Sequence, residues 1–410
     1  MKKLLSISNN NKLIFVIITL FPLSFILGNL SINLLIFLSS ISFFINIKDN
    51  TKLLFDKINY LLVFFFITTL INLYFSQYPI HSYLRILKIL LIVFFIFEFR
   101  RFFQAISGEN FQFIIRVWFL IFFIVSIDVI FEIIFGFNTI GNFTTLEGRI
   151  SSYFGDELVV GAFFTSFGLL FVSYLITIKI NHLIIAFIII SMITISFLIG
   201  ERSNFIRFFS IAIMFYFFIL EIKLFKKLIF LIVLMICFLS VLNFNQEYKY
   251  RYIGQIKSLY KIDGFNEYFK QSKYGAHQNA AYKIFINYPI FGVGIKNFRL
   301  ESSKEIYKNE EFASTNSRYS THPHQIHLEI LSETGMFGYF SFIIFIISTI
   351  FFSIKSYLKN KNHYQFSAIL FIISSMYPIL PSGSFYSTFS GGLFWFNFAL
   401  MVSFIKIKFK

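Results

Sequence analysis

The sequence predicts an all-α polytopic membrane protein, with about twelve transmembrane helices and one large loop between the ninth and tenth spans. Three observations predict it. Hydrophobic residues make up 57% of the 410-residue chain and charged residues only 14%, and the mean hydropathy is +0.74; a soluble domain carries about 25% charged residues. The apolar residues gather in runs of about 17 to 25, the length that crosses a bilayer. The charges, which play no part in counting those runs, all but alternate with them in the way that membrane topology requires.

In order, the apolar runs lie near 13–29, 31–47, 59–75, 84–98, 112–135, 158–178, 183–199, 205–221, 227–243, 336–354, 365–380 and 390–405. Lys2, Lys3 and Lys12 precede a long apolar run with no small-residue cleavage site behind it, so the amino end is read as an uncleaved first span. With that end in the cytoplasm, one set of connections carries Lys48, Lys52 and Lys57, then Arg100 and Arg101, then Lys179, then Lys223, Lys226 and Lys227. The same side goes on to carry Lys355, Lys359 and Lys361, and finally Lys406, Lys408 and Lys410, which places both termini inside. The opposite short connections, 77–82, 136–156 and 381–391, have Arg149 as nearly their only basic residue. The net charge of +16 is therefore a topological signal, to be read against membrane lipids, and a nucleic-acid partner is set aside. Arg85 and Lys88, near the outer end of the fourth span, stand outside this pattern; they either snorkel or face an anionic ligand.

The chain divides into spans one to nine (1–243), a large outer loop with amphipathic helices (244–335) and spans ten to twelve (336–410). The loop has order-promoting composition: Tyr248, Tyr250 and Tyr252 alternate with polar residues, 280–288 is helix-like, and Pro289, Gly292 and Gly294 punctuate the stretch beyond that helix. The single cysteine, Cys237, allows no intrachain disulfide and no cysteine metal site.

Ionisable groups beside a bilayer are costly, so they mark candidate functional positions. Three of the seven histidines, His322, His324 and His327, lie just before the tenth span. A neutral imidazole can take a proton from a hydroxyl nucleophile, and His324 is the candidate base; capping or packing is the alternative role for each of the three. If a helix has already begun there, His324 and His327 share one face. No further ligand at metal-binding spacing accompanies them, so no metal is expected. Arg202, in Gly200, Glu201, Arg202, Ser203 and Asn204, lies between two closely abutted spans. It is either an interfacial anchor, pairing with Glu201, or a clamp for phosphate, which a planar guanidinium suits. Asp128 and Glu132 share a helical face in the fifth span; they either relay protons or hold a cation, or they pair with Arg149 or Arg202.

In this order, the residues resemble the O-antigen ligase and O-antigen polymerase superfamily of bacterial inner membranes. The resemblance rests on Gly200 to Asn204, on Pro289, Gly292, Gly294, Asn297 and Phe298, and on His324 to Gly335 with Leu328, Glu329, Leu331, Glu333 and Gly335 in register. The outer segment Arg149 to Gly161, with Phe154, Gly155 and Asp156, is similar to the acceptor-side loop of that family. The likeness implies a GT-C-like glycosyltransferase that needs no metal or other cofactor. Its donor would be a glycan on undecaprenyl diphosphate, and its acceptor, on the periplasmic side, lipid A core or another lipid-linked glycan. By position, Arg202 would hold the diphosphate and His324 would deprotonate the acceptor hydroxyl, with inversion. Gln325 stands where the family has Asn, and His327 where it has an aromatic residue. Lys273 and His277 stand where ligases carry a second arginine, so His277 or Arg299 would supply the second phosphate contact. Arg149, Asp156, Glu201, His322, Gln325, His327 and Glu329 are possible accessory residues. Ligation to lipid A core is the first expectation and polymerisation the second. A transporter or flippase built around Asp128 and Glu132 is a third reading, which the lack of an inverted repeat disfavours.

Overall fold

The computed structural model describes residues 9–48, 56–144, 146–254, 257 and 265–405. Among them there is no strand, and a helix falls on each predicted apolar run. These are α1 (Asn9–Leu27), α2 (Asn29–Ile45), α3 (Lys57–Tyr74), α4 (Pro79–Ala105), α5 (Gly108–Phe135), α6 (Val160–Thr177), α7 (His182–Leu198), α8 (Arg202–Ile219), α9 (Leu224–Phe244), α10 (Ile326–Asn360), α11 (His363–Ser375) and α12 (Thr388–Ser403). Eight are long and apolar enough to cross a membrane, and α2, α7 and α12 are shorter apolar helices. The chain is an integral membrane protein: with no water to bond backbone groups in a bilayer, apolar runs of this length are stable as helices. Lys2, Lys3, Lys52, Lys406, Lys408 and Lys410 lie outside the described residues.

The most enclosed helix is α12, buried from Gly391 to Ser403 and packed on α4, α11 and α2. Phenylalanine fills this core; Phe396 stacks on Phe21 and meets Phe99 and Trp118 edge to face. A few polar bonds join helices within it: Trp118 donates to the Ile18 carbonyl (2.9 Å), Asn397 to Ser166 Oγ (2.7 Å) and Gln365 to the Met401 carbonyl (3.0 Å).

Two expectations are corrected at this level. Arg100 and Arg101 lie inside α4, whose helix runs past both ends of the predicted run, and both are buried there. Arg100 pairs with Asp56, the N-cap of α3, and donates to Asn59 (3.1 Å). Arg101 pairs with Glu98 at 2.6 Å, and Glu98 also accepts from Ser42 and Asn46. Asp128 and Glu132 pair with neither Arg149 nor Arg202. Asp128 accepts from Thr139 and Ser152, and Glu132 from the backbone and hydroxyl of Ser151 and the backbone of Ser152. Both carboxylates cap the turn after α5, a local use of charge that periodicity cannot reveal.

At the other end of the bundle, the described residues between 245 and 325 form a cap with its own small core of Ala280, Ala281, Ile284, Val293, Phe298 and Tyr307 around the helix Lys273–Asn287. This helix packs on the start of α10, which begins at Ile326, ten residues before the predicted tenth run. α10 breaks at Gly335 (φ 64°, ψ −170°), where a Cβ would collide with the Ile290 carbonyl. The cap is tied into that break. Val293 and Gly294 donate to the carbonyls of Ser332 and Glu333, and Met336 and Phe337 donate to those of Pro289 and Ile290, at 2.8 to 3.1 Å.

Candidate active site

Arg202 is positioned by a close approach of three backbone segments. Gly200 has φ 77°, and a Cβ there would strike the Gly148 carbonyl, so only glycine lets the α7–α8 junction lie against the segment that carries Arg149. Ile150 donates to the Ile199 carbonyl (3.1 Å), and Tyr248 and Tyr252 donate from the cap to the carbonyls of Leu198 and Phe197. Arg251, between those tyrosines, donates through Nε to the Gly200 carbonyl (2.6 Å), and Arg202 donates to the Arg251 carbonyl (3.3 Å). Arg149 donates to the Leu158 carbonyl (2.9 Å) and lies 3.9 Å from Glu201, which also accepts from Gly161 and Asn204. Arg149 and Arg251 thus lie near one carboxylate, and Arg202 adds a third guanidinium beside Arg251. Burial, and then the like charges of Arg149 and Arg202, hold Arg251 below its ordinary range. Such a cradle suits a polyanion.

His324 sits one residue before the α10 N-cap, with φ 55°, a conformation costing about 1–3 kcal/mol for a non-glycine residue. The helix has therefore not begun at His324, and His324 and His327 do not share a helical face. What fixes His324 is the α11–α12 connection: Ser382 donates its backbone N–H to the His324 carbonyl (2.9 Å). Its ring lies 4.0 Å from that of His322, 5.3 Å from that of His277 and 5.2 Å from that of Tyr274, centroid to centroid. His322 donates to the Ser382 carbonyl (3.2 Å), and His277 to the Ser317 carbonyl (2.8 Å), which leaves His277 Nδ1 buried without a partner among the described residues. Burial is the main reason these rings resist protonation. With the charge of His277 it brings His324 down to about 4, and with the charges of His324 and Lys296 it brings His322 down to about 3; His277 is lowered too, by burial first. The three imidazoles are neutral at ordinary pH and available as proton acceptors. Among the described residues, no group of three or more His, Cys, Asp or Glu side chains is placed to hold a metal ion.

The other expected residues divide by role. Gln325 is the α10 N-cap, accepting from Leu328 (2.6 Å) and donating to the Pro378 carbonyl (2.7 Å). His327 is spent on structure, between Tyr339 and the Met376 carbonyl. Glu329 is fully buried, accepts from Ser384 and from the backbone of Phe385, and lies 3.9 Å from Lys296. Lys273 is exposed, one turn before His277 on the same helix. Arg299 is exposed, and among the described residues no hydrogen bond or ion pair joins it to the arginines or the histidines. Asp156 falls in the short helix Ser152–Glu157, and its side chain lies outside the described residues.

Three residues were not read from the sequence. Arg251 is hidden in an aromatic run. Lys296, in the glycine motif, has φ 66° and donates to Ser384 (2.6 Å), while Glu333 accepts from the backbones of Lys296 (2.7 Å) and Phe298 (3.2 Å). Arg207, in α8, donates to the Pro381 carbonyl (2.9 Å). Its signal was present as a second arginine five residues after Arg202 in an apolar run. The 376–388 connection thus links both clusters: Arg207 of the arginine-bearing helix bonds Pro381, and His322 and His324 bond Ser382.

Residues 186–343 match the family model described as O-Antigen ligase. The match takes in Arg202, Arg251, His277, Lys296 and His324. A search of curated proteins finds no match.

Proposed function

We propose, with the O-antigen ligase match as premise, that this chain transfers a glycan en bloc from undecaprenyl diphosphate to a sugar hydroxyl on the periplasmic face of the bacterial inner membrane, most directly to lipid A core. The observation that carries the reading is the pairing of an arginine cradle with surplus positive charge and a neutral histidine cluster, held to one connection at one end of the bundle. In this mechanism His324 accepts the proton of the acceptor hydroxyl as that oxygen attacks the anomeric carbon from the face opposite the leaving group. The bond from that carbon to the diphosphate oxygen breaks, and undecaprenyl diphosphate departs with the electron pair. Arg149, Arg202 and Arg251 hold the charge that develops on it. A diphosphate is already a good leaving group, so charge stabilisation and a placed base suffice without a metal.

The test uses the purified full chain and His324→Ala in detergent, with undecaprenyl-diphosphate oligosaccharide supplied with lipid A core and then alone, in EDTA. Glycan on lipid A core from wild type only supports ligation with His324 as base. Longer lipid-linked chains without core make the same site a polymerase. Transfer to neither acceptor by folded wild type overturns the reading.

A further inference from the structure

A second basic site lies at the same end of the bundle, where α4 meets the start of α12. Arg85 and Lys88 are one turn apart on α4, in its second and third turns from Pro79, and both are half-buried. They line a small open cleft with Tyr386, Ser387, Gly391 and Trp395. Lys88 does not extend outward to water as a snorkelling lysine does; its ammonium donates to Thr388 Oγ1 (2.7 Å) on the first turn of α12. Neither residue has an ion-pair partner among the described residues, and Arg85 has no hydrogen-bond partner there either. The ammonium of Lys296, itself 3.9 Å from Glu329, also lies near Lys88. Two cations at this spacing on one helix repel each other, and in a half-buried cleft that repulsion is weakly screened. An anion relieves it, and the α12 N-terminus on the same wall adds to the attraction.

The cleft also has an apolar half. Ile89, Ile92 and Trp395 line it one to two turns further along α4 and α12 than the cations. These three are buried, and the exposed Leu84 and Leu87 beside the cations on α4 are what offer hydrocarbon a surface; a free phosphate has no use for them, whereas an amphiphile places its phosphate on Arg85 and Lys88 and its hydrocarbon against those leucines. The position of the cleft says which amphiphile. Ser384, bonded to Lys296 and Glu329, is two residues from Ser382, which carries His322 and His324, and three from Ser387 at the cleft. The donor's diphosphate already has the arginine cradle.

We infer that Arg85 and Lys88 bind a phosphate group of the lipid acceptor and so hold the acceptor beside His324, opposite the donor. This inference rests on the glycosyl-transfer reading. The test measures initial rates for the full chain in nanodiscs with donor and acceptor varied separately, for wild type, Arg85→Gln/Lys88→Gln and Lys88→Arg. The glutamine pair is expected to raise the acceptor KM about tenfold or more, as loss of charge-assisted bonds to phosphate does, with kcat and donor KM unchanged. Lys88→Arg, with the charge kept, should stay near wild type and separates loss of charge from misfolding. Native mass spectrometry then compares retention of lipid A core, its dephosphorylated form, the undecaprenyl-diphosphate repeat unit and phosphatidylglycerol. Phosphate-dependent retention of an acceptor that falls in the glutamine pair supports the site. An unchanged acceptor KM overturns it, and so does phosphatidylglycerol retention that falls in step with the acceptor's, since the cleft is then a general lipid site. If wild type transfers nothing, the glycosyl-transfer reading fails by itself, and retention alone decides whether a phosphate site exists.

Discussion

Arginine at the two ends of the bundle keeps different company. Away from the cap, Arg100 and Arg101 each have a carboxylate of their own, Asp56 and Glu98, and amide side chains from neighbouring helices complete their bonding. Beneath the cap, Arg149 alone lies within 3.9 Å of Glu201, Arg202 and Arg251 donate to backbone carbonyls, and Arg85 and Lys88 have no carboxylate at all among the described residues. Matched charge in an apolar bundle fastens helices together. Unmatched charge has a desolvation cost that the fold does not recover by itself, and it marks where an anionic ligand completes the electrostatics.

Substitutions can break this contrast in graded ways. His324→Ala should have the largest effect, a loss of about 10²- to 10⁴-fold in transfer rate with the melting temperature held, measured with saturating donor and acceptor. A loss under tenfold would remove His324 as the base. Arg202→Ala and Arg251→Ala should each lower kcat/KM by about 10²-fold, with Arg202→Lys recovering only part, because a lysine lacks the planar fork. Equal rates for all of these would mean that the cradle is an anchor. Glu98→Ala should do the reverse. It strands the Arg101 charge and should cost about 3–5 kcal/mol of stability in denaturant titration, yet leave the specific activity of the folded fraction intact.

The smallest effect is in the pH dependence. With His324 lowered to about 4, the base form persists as pH falls from 7 to 5, so transfer should stay on a plateau where an ordinary imidazole would already have lost it. The unfolded chain takes up protons on His322 and His324 from about 6.5 downward while the folded chain does not, so stability should fall as pH drops from about 6.5 toward 4. Rates and melting temperatures across that range check both, and a rate midpoint near 6.5 would contradict the burial of His324.

Much of this was legible in sequence because it is local. Apolar run length located the helices and the Gly200 motif located the α7–α8 junction, while the start of α10, ten residues before the predicted run, was missed. What was not legible depends on pairs far apart in the chain. Arg251 gains meaning only when Gly200 lies against it, Lys296 only from Ser384, and Asp128 and Glu132 only from the turn they cap. No periodicity connects such positions.

The tie between His324 and Ser382 also bears on modularity. The segment that matches the family, 186–343, ends well before Ser382, Ser384 and Phe385, and begins after Arg149 and Asn72, which donates to the carbonyls of Phe291 and Glu333. Grafted onto another bundle, that segment would bring the motif residues without the neighbours that aim them. Chimeras between relatives should therefore exchange the 376–388 connection together with the cap, and crossover points between them should produce folded but silent proteins.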